Sequence, residues 1–258
     1  MENLNIPLIT VLGSHYTALN RKTITQKIIR FAESEQSGYV CVANVHTTMM
    51  GYFNSKYRSV TNHALLAVPD GMPLVWAMKL LGNPKQDRVR GPTLMRRVCE
   101  QSCKHGLKHY LLGGTNETLL ALEHYLKTNS PSIKIAGKES PPFRHATDKE
   151  KAERIKRINN SGAQILWVGL GAPKQENWMW EHRHEIKPLM IGVGAAFDLL
   201  PGVIPEAPAY MQAFGLEWLY RLVKEPKRLW RRYIFNNPLF LILLTAQVIS
   251  SKFSKRNG

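Results

Sequence analysis

The sequence predicts an α/β fold, in which a mostly parallel sheet flanked by helices is followed by a basic, amphipathic C-terminal helical appendage. Three observations predict it. Six short apolar, β-rich runs punctuate the middle of the chain. The segments between them are long enough for crossover helices, the hallmark of βαβ units. After Pro208 the texture changes, with aromatic and basic residues giving way to a strongly apolar stretch.

The runs are GYVCVAN (38–44), HALLAVPD (63–70), HYLLGG (109–114), IKIAG (133–137), QILWVGLG (164–171) and LMIGVG (189–194). Near-continuous apolar character over this length suits strands buried on both faces. Between them TLMRRVCEQSCKHG (93–106), NETLLALEHYLKTN (116–129), TDKEKAERIKRINNSG (147–162) and QENWMWEHRHEI (175–186) read as helices. Thr115 and Thr147 suit N-caps, and Gly106 and Gly162 suit C-terminal stops. The chain shows no internal repeat and no low-complexity tract.

At 258 residues with 44% hydrophobic composition, the chain can bury a proper core and is not a disordered polymer. Cys41, Cys99 and Cys103 are few, odd in number and without a zinc-like partner set, and they read as reduced packing residues of a cytosolic protein. The N-terminal MENLNIPLIT has neither a basic n-region nor a long apolar run, so a signal peptide is not expected.

The net charge is +16, and from Arg221 to Gly258 nine Lys or Arg face Glu225 alone. Such a patch suits nucleic acid, an anionic membrane or a phosphorylated ligand. The apolar run from Pro238 to Ser250 is 13 residues. As a helix it reaches about 20 Å, short of the ~30 Å hydrocarbon core, so it is not expected to span a bilayer unaided. Lys and Arg on both sides suggest a helix in the membrane interface; a helix packed on the domain or on a second subunit is the equal alternative.

Three strand ends carry glycine pairs: Gly113–Gly114, Gly169–Gly171 and Gly192–Gly194. In a Rossmann-like sheet ligands sit outside the carboxyl ends of the strands, where Gly lets them approach the backbone. None completes G-x-G-x-x-G, because Lys174 and Phe197 stand at the third-Gly positions. Together they point to a nucleotide or phosphate ligand.

In AVPDGMPLVW (67–76), Asp70 and Gly71 stand where a strand hands over to a helix, either as turn and cap chemistry or as a site carboxylate. In GLGAPKQENW (169–178), Pro173 suits a first helical turn, Lys174 adds charge to an anion-attracting helix start, and Gln175 offers a donor and an acceptor for sugar hydroxyls. DRVRGPTLM (87–95) sets Arg88 and Arg90 in a loop, either solvated or clamping a phosphate bidentately. VANVHTTM (42–49) ends a strand with Asn44, His46 and Thr47. There is no D-x-D to hold a metal-bound nucleotide diphosphate and no G-x-x-x-x-G-K-[ST] loop.

The order VPDGMPLVW, RVRGPTLM, YLLGG, ILWVGLGAPKQENW, IGVGAAFDLLPG, EAP and GLEWLYRLVKEPKRLWRRY resembles the WecG/TagA/CpsF family of bacterial glycosyltransferases, from about Val11 to Tyr233. The resemblance implies transfer of a sugar from a UDP-sugar to an undecaprenyl-diphosphate-linked saccharide at the cytoplasmic face of the inner membrane, by a peripheral enzyme. The products would be teichoic acid, common antigen, capsule or exopolysaccharide, and ANVHT and DGMPLVW look most like the exopolysaccharide members. It implies an α/β catalytic domain over 1–207 and, over 208–258, a membrane-associating appendage that completes the active site.

The family's catalytic base then matches Asp70, and its active-site Asn, Arg and Gln match Asn44, Arg88 and Gln175. The appendage arginines proposed to reach the diphosphate match Arg221, Arg228 and Arg231. With them the substrate-binding candidates are His46, Thr47, Gly71, Gly113, Gly114, Gly169, Gly171, Pro173, Lys174 and Asp198. No cofactor and no metal are expected, and the transfer would be inverting. The donor sugar would be N-acetylmannosamine, a related HexNAc, or of the glucose or glucuronate type. Val42, Glu206 and Pro142 depart from the family's Thr, Arg and Tyr, and these departures bear on the donor sugar. LFLILL (239–244) could instead bury in a second copy of the chain. Two rivals predict different things: a dinucleotide-dependent oxidoreductase needs a complete G-x-G-x-x-G, and a nucleic-acid binder leaves 238–250 unexplained. No nucleic-acid partner is expected.

Overall fold

The computed structural model describes residues 6–142, 144 and 146–256, with the backbone alone at 228, 232 and 254–256. In chain order the elements are β1 (Leu8–Val11), β2 (Ser14–Thr17), α1 (Arg21–Glu33), β3 (Gly38–Ala43), α2 (Val45–Phe53), α3 (Ser55–Asn62), β4 (Leu66–Pro69), α4 (Met72–Leu80) and α5 (Gly91–Ser102). They continue with β5 (Lys108–Gly113), α6 (Asn116–Asn129), β6 (Lys134–Glu139), α7 (Asp148–Asn160), β7 (Ile165–Gly169), α8 (Lys174–Glu181), β8 (Leu189–Gly192) and α9 (Ala196–Leu199). The short α10 (Ala209–Ala213), α11 (Glu217–Lys224) and the long α12 (Pro226–Arg256) end the chain.

The six expected strands form one parallel sheet in the order β4-β3-β8-β7-β5-β6. Alternate residues of each strand enter opposite cores. Val40 and Val42 of β3, Trp167 of β7 and Ile191 of β8 pack with α1, α5 and α6. Tyr39, Cys41, Val168 and Met190 pack on the other face with α2, α4, α7 and α8. Burial of both faces is why these strands read as continuous apolar runs.

Local signals behave as their chemistry dictates. Thr115 and Thr147 each accept the N–H three residues on, and Thr147 forms a full capping box with Glu150. Gly106 and Gly162 take positive φ, 64° and 69°, at the ends of their helical segments. The helix expected over 175–186 is shorter, because α8 ends at Glu181 and the chain turns at His182. All three cysteines are free thiols.

The C-terminal run departs most from expectation. It belongs to a 31-residue helix, and Leu229–Phe253 is long and apolar enough, by length and composition, to cross a bilayer. One face of α12 is nevertheless engaged with the body. Phe240 and Leu244 are buried in the second core. Gln247 accepts from the Leu12 N–H at 2.9 Å and donates to the Thr10 carbonyl at 2.8 Å. Asn236 bonds His46 at 3.1 Å. The spacing 236, 240, 244, 247 traces one helical stripe. The other face leaves Ile234, Phe235, Leu241, Ile242, Ile249 and Phe253 exposed. Of the alternatives read from the sequence, the structure therefore shows the helix packed on the domain, and its opposite side is apolar and uncovered.

Candidate active site

Every candidate that lies at a strand end comes from the carboxyl edge of the sheet. Asp70 follows β4, and its N–H extends the ladder by bonding the Ala43 carbonyl of β3 at 2.7 Å. Gly71 follows because the two strand ends nearly touch: a Cβ there would lie 3.3 Å from Asn44 Cβ. Asn44 caps α2, accepting from the N–H groups of His46 and Thr47. Thr47 completes that box and is itself buried.

Arg88 and Arg90 reach the same place from an extended segment. The Val89 N–H bonds the Pro69 carbonyl at 2.8 Å, and its side chain enters the first core. Strand-like alternation then turns Arg88 and Arg90 to the opposite side. The sequence leaves them either solvated or clamping phosphate; the structure gives them carboxylate partners. Arg88 donates to the Asp70 carbonyl, lies 3.4 Å from Asp70 Oδ1 and bonds Glu217 Oε2 at 2.7 Å. Arg90 meets Glu217 at 3.3 Å and Glu206 at 3.2 Å. Glu217, at the start of α11, thus ties the appendage to the loop beside Asp70.

These charges set the ionisation of both acids. Burial raises the Asp70 carboxyl above its usual value; Arg88 opposes this, Glu217 adds to it, and the net direction is up. Burial pushes Glu217 upward too, but Arg90 and Arg88 outweigh it and hold that carboxyl down. The side chain of Asp70 stays 28% exposed, so it can meet a ligand.

Three adjoining cavities surround this point. The first, of about 470 Å³, lies at the sheet edge and is lined by Asn44, Asp70, Gly171, Gln175, Gly194 and Asp198, with Glu217 and Arg221 over it. Gln175 is 3% exposed and lies across the end of β8. Its Nε2 donates to Glu176 at 2.8 Å, while its Oε1 has no hydrogen-bond partner among the described residues. The second, of about 740 Å³, adjoins through Gly169, Leu170 and Asp198 and holds Gly114 and Lys174. The third is a crevice between Asn44–His46 and Asp70–Pro73 on one side and α11–α12 on the other.

Other sequence candidates stand apart from these cavities. Gly113 is required by packing, since a Cβ would fall 2.5 Å from Gly169. Pro173 stands at the N-cap of α8 and lines none of the three cavities. Arg231 lies over the Trp230 ring at 5.3 Å. The side chain of Arg228 lies outside the described residues. Sequence reasoning missed Glu217, Trp218, Tyr233 and Asn237, all of which line the crevice. For Glu217 and Trp218 the signal was GLEWLYRL, an acid embedded in a basic, aromatic helix. Among the described residues no group of three His, Cys, Asp or Glu is arranged around a metal position.

The model of a family described as "Glycosyl transferase WecG/TagA/CpsF family" matches residues 9–254. The chain is also 27% identical over 205 residues to the N-acetylglucosaminyldiphosphoundecaprenol N-acetyl-beta-D-mannosaminyltransferase of Bacillus spizizenii, covering 79% of this chain and 77% of that protein.

Proposed function

Because the chain belongs to the WecG/TagA/CpsF glycosyltransferase family, we propose that it moves a sugar from a UDP-sugar to a polyprenyl-diphosphate-linked saccharide in cell-surface polymer synthesis. The oxidoreductase and nucleic-acid alternatives give way to that membership. One observation carries the reading: a part-exposed carboxylate of raised pKa opens onto a cavity at the strand ends. Asp70 takes the acceptor hydroxyl proton as that oxygen bonds the anomeric carbon. The bond from that carbon to the phosphate oxygen breaks, and UDP leaves with the electron pair. A positioned base contributes on the order of 10²–10⁴-fold, most when its pKa approaches the working pH.

The donor would extend from the sheet-edge cavity into the larger one, with Asp198 between them and Lys174 at the far wall. The unpaired Oε1 of Gln175 supports a hydroxyl-bearing ligand there, since a buried acceptor without a partner is costly. Arg221 lines the sheet-edge cavity and faces the developing charge of the diphosphate, in a transfer that uses no metal. The relative's name favours N-acetylmannosamine or a related HexNAc as the sugar. Val42 and Pro142, two of the departures from the family pattern, line the donor cavities, and the third, Glu206, pairs with Arg90.

The apolar outer face of α12 and the appendage's positive charge support a peripheral seat on the cytoplasmic leaflet of an anionic membrane. A panel of UDP-sugars with a short lipid-diphosphate-sugar acceptor tests the reading, with and without EDTA. Transfer should persist in EDTA and fall by at least ~10²-fold in Asp70→Asn. Loss of transfer in EDTA would overturn the metal-free step, and near-wild-type turnover of Asp70→Asn would remove the base.

A further inference from the structure

We propose that the crevice between the catalytic body and the appendage is the seat of the acceptor's terminal sugar, on the opposite side of Asp70 from the donor. The inference rests on the transferase reading above and deepens it. Asp70 lines both the sheet-edge cavity and the crevice. A general base needs that placement, because the hydroxyl it deprotonates and the carbon that hydroxyl attacks belong to two different molecules.

The chemistry of the walls assigns the two sides. The sheet-edge cavity has glycine backbone, Gln175 and Asp198, and continues toward Lys174. That length and polarity suit a nucleoside diphosphate. The crevice instead presents Met72, Pro73 and the rings of Trp218 and Tyr233, whose centroids are 5.6 Å apart, together with the Asn237 amide. Aromatic and apolar walls set beside amides and charged groups suit a pyranose, whose C–H face stacks on a ring while its hydroxyls meet the Asn237 amide and the Asp70 carboxylate.

The surroundings fit a sugar that arrives on a lipid. Gly215 presses the appendage backbone onto the first turn of α4, where a Cβ would come within 2.9 Å of Met72 and 3.2 Å of Trp76. Beside this contact Trp76 and Phe214 are 44% and 72% exposed. An acceptor entering past them keeps its polyprenyl chain against apolar surface while its sugar reaches Asp70. Arg221 lines both cavities and can face the acceptor's own diphosphate as well as the donor's.

The test uses the full chain, a UDP-sugar and a short-chain lipid-diphosphate-sugar. Trp218→Ala and Asn237→Ala should each raise the acceptor KM about tenfold or more, leaving donor KM and the calorimetric affinity for UDP unchanged. Asn237→Ala removes only an amide from the surface of α12, so it serves if Trp218→Ala does not fold. A fall in UDP affinity at unchanged acceptor KM would give the crevice to the donor and overturn the proposal, as would no change in either. If the wild-type chain transfers from no UDP-sugar, the transferase reading itself fails. If it transfers normally and the variants keep their acceptor KM, only the crevice assignment fails.

Discussion

Replacing Glu217 by Gln tests whether the appendage controls the ionisation of Asp70. Arg88 lies 2.7 Å and Arg90 3.3 Å from the Glu217 carboxylate. With an effective dielectric of about 20, these contacts are worth ~6 and ~5 kcal/mol before desolvation, which cancels most of the gain. What an experiment reads is therefore the effect of removal. Glu217→Ala leaves two guanidinium groups, 16% and 13% exposed, short of a carboxylate. Because Arg88 keeps Asp70 and Arg90 keeps Glu206, the loss should fall near ~3 kcal/mol, the lower end of what breaking a buried pair costs. Glu217→Gln keeps the shape and an acceptor oxygen and should lose less.

The kinetic consequence follows from the sign. Glu217 raises the Asp70 carboxyl, whereas Arg88, Arg90 and Arg221 lower it. Without the Glu217 charge, the Asp70 pKa falls. The acid limb of kcat/KM against pH reports the base losing its proton, so in Glu217→Gln it should move to lower pH, with a reduced plateau because the base is weaker. The assay is a pH–rate profile of transfer for both proteins. A limb that stays in place or moves upward would refute the coupling between α11 and the base.

Two further outcomes are expected. Buried His109 accepts from the Trp167 indole N–H at 3.0 Å and pairs with Ser102 Oγ at 2.8 Å, and burial pushes its pKa down to about 3. Neutral His109 thus contributes stability that is complete above the unfolded value of ~6.5 and is lost as pH falls toward 3, by ~1.4 kcal/mol per unit. Urea melts at pH 7 and 5 should show a loss of about 2 kcal/mol that His109→Gln lacks, and equal slopes would contradict the assignment. On α12, the paired change Phe235→Glu and Ile242→Glu places charge on exposed positions away from the buried Phe240 and Leu244. It should release the protein from anionic vesicles without shifting the melting temperature; retained binding would exclude this face as the membrane contact.

The parallel sheet was legible because strands buried on both faces leave unbroken apolar runs. The β1–β2 hairpin was not, since its turn takes positive φ at Leu12 as well as Gly13, and Leu gives no turn signal. α2 was hidden for a related reason: VHTTMMGYF has β-branched residues and weak periodicity, and it forms under the Asn44 capping box directly after a strand. Asp70, Asn44 and Gln175 took their candidate site roles from the family resemblance, and they fall at strand ends, where ligands gather in such sheets. Glu217 could not, because its partner Arg88 is 129 residues away in sequence. The extent of α12 was hidden as well. The apolar count stops at the basic cluster, whereas the helix runs through it on both sides.

The same long-range pairing explains why a membrane-seated transferase would place its appendage where it does. α11 holds the loop beside Asp70 through Glu217, and α12 reaches His46, next to the Asn44 cap, through Asn236. The crevice has walls from both parts, so it exists only while the appendage is docked. α12 presents its uncovered apolar face on the side away from that docking stripe. The exposed apolar face and the docking stripe thus lie on opposite sides of one helix, so contact with the first leaves the second in place. In the proposed reading, the docked appendage supplies both the Glu217 charge that raises the Asp70 carboxyl and the second wall of the crevice.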